Sequence, residues 1–360
     1  MNRHSLNEAA DLVLELSEGR GCAADICSRL VPHLDQGAET CVQWIPHAIG
    51  EKWLQRAEPA ARLPQPPEFS AAALQLRNRG EVVAAFVCQE YATALQPESA
   101  SDWCALGELA HITGRRERAR EAYQAYLSFE PGDAEVTQIV RALSDEPPPP
   151  RAPNDFVTQL YARYASFYEK NMREELVYQG PVLIAEMLDR FLPEVAELDV
   201  LELGCGTGMT GRQLRSRARR LVGVDLSPEM VEIAETSGIY DELVVAEITT
   251  WLSTQVAKFD LVLICDTLIY FGDLNQVIIP STQHLRPGGW IAMTVEKGNQ
   301  RPFVLTDSGR YCHTEQHLRE VAQASGLVVV SIEEEFLRNE YGRAVTGLIA
   351  LLRRPPGECF

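Results

Sequence analysis

Three observations predict a two-domain chain, all-α helical repeats followed by an α/β doubly wound sheet. Small residues, aromatic residues and prolines recur 34 residues apart ahead of position 144. The run DEPPPPRAP at 145–153 then interrupts every periodic pattern. Beyond it, short apolar stretches of strand length alternate with helical segments. The length of 360 residues agrees with two cores rather than one. The predicted boundaries are a repeat domain over 1–144, a connector over 145–153 and an α/β domain over 154–355.

The repeat reading rests on a unit near 100–133 that carries Trp103, Leu106, Gly107, Gly114, Ala119, Tyr123, Tyr126 and Pro131. Gly107 and Ala119 are small where two helices would cross, Gly114 suits a turn, and Pro131 ends a helix. Gly80, Ala85 and Pro97 each stand 34 residues before their counterparts, with Phe69 at the place of Trp103. This pattern resembles tetratricopeptide repeats, whose unit is about 34 residues. One period upstream the register is lost, so residues 1–62 are expected to form further helices, divergent repeats or a cap. The segment 134–143 is expected to close the array. Four consecutive prolines lack backbone donors, so 145–153 reads as a semi-rigid connector.

In the second half, strands are expected at 200–203, 220–224, 243–245, 259–265, 290–295, 327–332 and 346–352. Helices fall between the first five, at 209–216, 228–236, 249–255 and 274–284. This order predicts a mostly parallel seven-stranded sheet. The last two strands are separated by EEEFLRNEYGR, read as the connection of an antiparallel edge hairpin.

The segment LELGCGTGM at 201–209 runs an apolar strand into a GxGxG loop and then a helix. Glycines there permit a tight turn and close approach of backbone to a ligand. The dinucleotide fingerprint is GxGxxG, so a nicotinamide cofactor is disfavoured. Asp225 ends the next strand about twenty residues on, where a carboxylate can accept hydrogen bonds from ribose hydroxyls. The same position also suits a helix start, in DLSPEM. Together these elements resemble motif I and its sequel in class I S-adenosylmethionine-dependent methyltransferases, which have a Rossmann-like domain. The segments YARYASFYE, VYQGP, IYFGDL, RYCHT and LRNEYGRAVTG further resemble predicted methyltransferases that carry N-terminal tetratricopeptide repeats.

The resemblance implies S-adenosylmethionine as cofactor and S-adenosylhomocysteine as product. The cofactor-binding set it implies is Tyr161, Tyr164 and Tyr168 on a first helix lying over the cofactor, then Glu202, Gly204, Cys205, Gly206, Gly208, Asp225, Leu226, Met230, Glu247, Ile248 and Asp266. The family usually has aspartate where Glu247 stands. Methyl transfer needs an aligned nucleophile in a water-poor site and no metal. An amine or hydroxyl acceptor also needs a proton acceptor. His313 is the first candidate base, with packing or capping as its alternative role, and Asp266 and Tyr270 are alternative orienting groups. His317, four residues on, could pair with His313 on a metal, but no carboxylate partner stands at a telling spacing. Cys22 and Cys27, five apart on a helix, do not share a face.

The expected activity is methyl transfer to a small molecule or peptide-like natural product, with the repeats contributing substrate or partner recognition. The alternatives are a protein methyltransferase recruited by its repeats, or a cofactor-binding scaffold. A net charge of −18 disfavours nucleic acid as a general partner. No apolar stretch is long enough to span a bilayer, and residues 1–10 lack the apolar core of a secretory signal. Nine cysteines at irregular spacing fit a reducing compartment, so a cytoplasmic home is expected.

Overall fold

A computed structural model of the chain describes residues 12, 23–33, 66–192, 197–299, 301–340 and 343–357. The chain divides into two compact units, Met1–Ser144 and Asp145–Phe360.

The first unit is helical: α1 (Ala23–His33), α2 (Pro66–Asn78), α3 (Val82–Leu95), α4 (Ala100–Ile112), α5 (Arg116–Phe129) and α6 (Ala134–Ala142). The helix pair α2–α3 and the pair α4–α5 begin and end at positions offset by 34 residues, which is the spacing of the sequence pattern. The small and aromatic positions of the pattern are its core. Ala85, Ala119, Phe69 and Tyr91 are buried, and Phe69 stacks on Tyr91 at 5.4 Å between ring centroids. Trp103, half-buried, donates from Nε1 to the Pro97 carbonyl at 2.8 Å. Asp133 caps α6 by accepting from the Val136 amide, and also accepts from the Tyr126 hydroxyl. Most of the upstream helices expected over 1–62, and Cys22, lie outside the described residues. Within that stretch, α1 is a helix whose Cys27 is buried against Cys88.

The second unit holds the sheet: β1 (Leu198–Leu203), β2 (Ala218–Asp225), β3 (Glu242–Val245), β4 (Phe259–Ile264), β5 (Leu285–Lys297), β6 (Phe303–Leu305), β7 (Tyr311–His313), β8 (Val328–Glu340) and β9 (Arg343–Arg353). Helices α7 (Asn154–Tyr164), α8 (Gly180–Phe191), α9 (Met209–Leu214), α10 (Pro228–Thr236), α11 (Ile248–Thr254), α12 (Asn275–His284) and α13 (Glu315–Ala324) join and cover it. The spatial order runs β3-β2-β1-β4-β5-β7-β6, and β9 pairs antiparallel with both β5 and β8. Every residue of β1 is buried, as a central parallel strand requires.

Two expectations need correction. Among the described residues the sheet has nine strands, not seven, because 303–305 and 311–313 form a short antiparallel pair whose second strand lies parallel beside β5. Three-residue strands fall below any periodic signal. The EEEFLRNEYGR segment is no connection either: through Glu340 it is strand β8, paired register by register with β9. Its alternation was hidden by a register shift between Phe336 and Arg338, a bulge that leaves the consecutive residues Leu337 and Arg338 both inside.

The proline run also differs from a simple connector at its end. The Pro150 carbonyl accepts from the amides of Gly272 and Asp273, and the Pro149 carbonyl from the Tyr311 hydroxyl. Arg151 bridges to Phe271, and the Ala152 amide donates to the Tyr270 carbonyl. Residues 149–152 are therefore fixed on the second unit.

Candidate functional site

Parallel strands end at one edge of the sheet, and the functional side chains gather there. After β1, Gly204 and Gly206 take φ of 72° and 52°, which L side chains resist. The Gly204 amide donates to the Val224 carbonyl at 2.7 Å, tying the loop to the end of β2. A Cβ on Gly204 would lie 2.1 Å from Thr267 Oγ1, whose hydroxyl donates to the Leu203 carbonyl.

Asp225 closes β2. Its Oδ2 accepts from the Gly206 amide at 2.7 Å and its Oδ1 from the Ser227 amide at 2.9 Å. The N-cap of α10 is Ser227, whose hydroxyl accepts from the Met230 amide, and not Asp225, which accepts from the Ser227 amide and lines a cavity. Burial raises the pKa of Asp225, and the backbone donors of Ser227, Gly206 and Leu226 oppose that rise.

That cavity is lined by Tyr161, Tyr168, Gly204, Gly206, Asp225, Leu226, Met230, Glu247, Ile248, Asp266 and Tyr270, all singled out from the sequence. Strand order lays them out across the sheet. Glu247 follows β3, Asp225 ends β2, Gly204 follows β1, and Asp266 follows β4. Tyr161 and Tyr270 share a hydrogen bond between hydroxyls at 2.9 Å, and the Tyr161 ring packs edge-on against Tyr168 at 6.0 Å. Burial raises the pKa of all three phenols, so they are donors or acceptors of hydrogen bonds rather than bases.

Glu247 lines the cavity, but its oxygens are engaged. They accept from the amides and hydroxyls of Thr249 and Thr250, and from Arg151 at 2.9 Å. Burial would raise its pKa, yet these donors hold it down to about 2. It is the cap of α11 as much as a ligand group.

Five residues of the expected set lie outside the lining. Glu202 is buried beneath the loop and accepts from the Tyr240 hydroxyl at 2.7 Å. Burial pushes its pKa up to about 8. Cys205 points toward Gly223, and Gly208 packs on Tyr240. Tyr164 accepts from Asn171 and packs on Phe167. The fifth is His313. It sits in β7, fully buried, with Nε2 at 2.7 Å from the Phe271 carbonyl and 3.3 Å from that of Gly272. Two carbonyls require Nε2 to carry the proton. Its basic nitrogen is then Nδ1, which is buried without a hydrogen-bond partner. Burial, then the charge of His317, lowers its pKa to about 4. His313 is thus fully buried and is not among the residues that line the cavity. The His317 ring stacks on it at 5.8 Å, and no metal-binding cluster occurs among the described residues.

The sequence reading missed Arg151, Ala152, Asn154, Val157, Cys265 and Phe271 in the lining. Arg151 lies over the Phe271 ring at 5.3 Å and pairs with Glu247. It stands directly after the prolines, where a connector gives no signal of a site.

The lining suits S-adenosylmethionine. A buried carboxylate with lone pairs to spare, beside glycine backbone, matches a ribose diol. Apolar Leu226, Met230 and Ile248 flank it, as an adenine requires.

Comparison with known proteins agrees. Residues 201–293 match the family model described as a methyltransferase domain. Methyltransferase-like protein 27 of Homo sapiens is 32% identical over 138 residues, which are 38% of this chain and 56% of that protein. Magnesium-protoporphyrin O-methyltransferase of Rhodobacter capsulatus is 26% identical over 170 residues, covering 41% of this chain and 75% of the relative. Ubiquinone biosynthesis O-methyltransferase of Leptothrix cholodnii is 23% identical over 120 residues, 31% of this chain and 50% of that protein. The chain thus spans from half to three quarters of the length of these relatives. Among solved structures, a Burkholderia thailandensis 1,6-didemethyltoxoflavin-N1-methyltransferase aligns with a TM-score of 0.45 and 20% identity, over 59% of this chain and 93% of that one. No described helix is long and apolar enough to cross a membrane. Within the second unit, residues 201–293 are thus similar to a methyltransferase domain, and this likeness supports S-adenosylmethionine as the cofactor.

Proposed function

We propose that the protein methylates a nucleophilic oxygen or nitrogen of a small molecule, and that its helical unit is a tetratricopeptide-like array that binds the acceptor or its carrier. The observation that carries this reading is the closure of the cavity. Residues of α7 and the segment before it form one wall, and the loops after β1, β2, β3 and β4 form the other. The empty space between these walls is about 680 Å³ and includes open solvent. Relatives named as a magnesium-protoporphyrin O-methyltransferase and a ubiquinone biosynthesis O-methyltransferase support a small acceptor.

When bound, S-adenosylmethionine supplies an electrophilic methyl group on a sulfonium. The chain does the rest. Asp225 and the glycine loop hold the ribose, while Leu226, Met230 and Ile248 hold the adenine. Tyr161 and Tyr270 present paired hydroxyls to an acceptor, and the aromatic wall keeps water out.

Two measurements test this. Asp225→Ala should weaken S-adenosylmethionine binding about tenfold or more by calorimetry, because hydrogen bonds to a charged group are worth about 1.5–3 kcal/mol. Unchanged affinity would overturn the ribose assignment. The full chain should release S-adenosylhomocysteine with the low-molecular-mass fraction of a cell extract. Release with the protein fraction alone would favour a protein acceptor recruited by the repeats. Binding without release in either fraction would favour a scaffold.

A further inference from the structure

Several segments quoted above lie far from one another in sequence and outside the glycine motif, yet they meet at one place. Asp266 and Tyr270 come from the end of β4, Tyr161 and Tyr168 from α7 and its extension, Arg310 from the start of β7, and Arg338 and Glu340 from β8. At the centre is Arg338, 1% exposed. Its Nη1 donates to Asp266 Oδ1 at 3.0 Å, and its Nη2 donates to Glu296 and stands 3.6 Å from Glu340. Glu340 in turn pairs with Arg310 at 2.8 Å. Asp266 itself takes φ of 55°, a conformation a non-glycine residue adopts only when its surroundings enforce it. Here the enforcement is visible: its amide donates to Thr294 Oγ1 at 2.8 Å while Arg338 grips its carboxylate.

The formal charges do not cancel. Asp266, Glu296 and Glu340 face Arg338 and Arg310, so the carboxylates of this largely buried cluster outnumber its guanidiniums by one. Such an excess is costly unless a proton, which burial favours on Glu296, or a cation completes it. Of the three carboxylates, only Asp266 lines the cavity, as do Gly204, Tyr161, Tyr168 and Tyr270. Aromatic faces also attract a cation. Arg338 lines no part of the cavity, so it touches any ligand only through Asp266.

Resting on the cofactor reading above, we propose that Arg338 is a positioning residue that turns the Asp266 carboxylate into the cavity as the counter-charge of the sulfonium. The pair makes the site read cofactor charge. It favours the charged cofactor over its neutral product, and so helps the product leave.

The test is calorimetry on the full chain with S-adenosylmethionine and S-adenosylhomocysteine. The variants are Asp266→Asn, Arg338→Met and Arg338→Lys, each with a melting curve. Asp266→Asn should weaken S-adenosylmethionine about tenfold, equivalent to about 1.4 kcal/mol, and change S-adenosylhomocysteine less than about twofold. Arg338→Lys, which keeps the charge without the fork that orients the carboxylate, should lower the same ratio, whereas Arg338→Met also removes a cation and must lower it further for positioning to outweigh charge. Equal loss of both ligands in Asp266→Asn would mean a structural role and overturn the proposal, as would an unchanged ratio. If Arg338→Met does not fold, Asp266→Asn and Arg338→Lys still decide. Failure of the unmodified chain to bind either ligand would refute the cofactor reading itself, and no variant is needed to see it.

Discussion

At the residue scale, three buried titratable groups near the site do different work. Asp225 faces the cavity, whereas Glu202 and His313 support it. Glu202 has a folded pKa of about 8, mainly from burial, against about 4.3 for an unfolded glutamate. Between those values the folded chain holds a proton that the unfolded chain has lost. Its contribution to stability is therefore full below about pH 4.3 and lost as pH rises through about 8. Glu202→Gln keeps an acceptor for Tyr240 without the charge. In the ligand-free protein it should flatten the fall of stability between about pH 4.3 and 8, by an amount on the order of a few kcal/mol, read as a smaller drop in Tm over that window. A parallel fall in both proteins would refute the assignment. His313 has the opposite sign. Its pKa is lowered to about 4, so its contribution is present above about 6.5 and lost as pH falls toward 4. His313→Ala should cost about 2–4 kcal/mol, since it opens a cavity and strands the Phe271 carbonyl. S-adenosylmethionine affinity, read by calorimetry well below the Tm, should stay within about threefold. A large loss of affinity in a folded variant would return His313 to the site.

At the element scale, the glycine loop shows how similar residues carry different constraints. Gly204 and Gly206 both have positive φ and both line the cavity. A methyl group on Gly204 collides with Thr267, whereas one on Gly206 meets nothing within 4 Å. Gly204→Ala should therefore lower stability by about 2 kcal/mol or more, from backbone strain and collision together. Gly206→Ala should cost about 1 kcal/mol of stability and instead reduce cofactor affinity, because its methyl enters ligand space. Melting curves and calorimetry on the pair check the contrast, and equal destabilisation would contradict it. The β8 bulge is the second lesson at this scale. One extra residue breaks the period of two and turns a charged side chain inward, so Arg338 reads from sequence as a surface residue.

At the scale of the molecule, each unit has its own apolar core. That of the first is built on Phe69, Tyr91, Leu106 and Tyr123, and that of the second on Val200, Leu263, Ile349 and Leu351. A fragment of residues 145–360 should therefore fold alone and bind S-adenosylmethionine within about threefold of the full chain. It should turn over the natural acceptor more slowly if the helices recruit it. Circular dichroism and calorimetry check the first claim. An unfolded fragment would mean that the second unit depends on the first. The fragment keeps 145–153, because Pro149, Pro150 and Arg151 are anchored on the second unit.

The sequence by itself determined what local patterns encode. The 34-residue register placed the paired helices, strand–helix alternation placed β1 to β5, and the GxGxG loop with Asp225 located the ligand edge. These features act over a few residues, so composition and spacing are enough to express them. Tertiary structure decided what depends on pairing between distant segments. It made a strand of Tyr311–His313 and buried His313 in the core, outside the cavity lining. It brought Arg151 from beside the prolines to the cavity, and buried Arg338 beneath Asp266, 72 residues away in the chain. A buried ion pair has no sequence period, because its partners are chosen by the fold that excludes water from them.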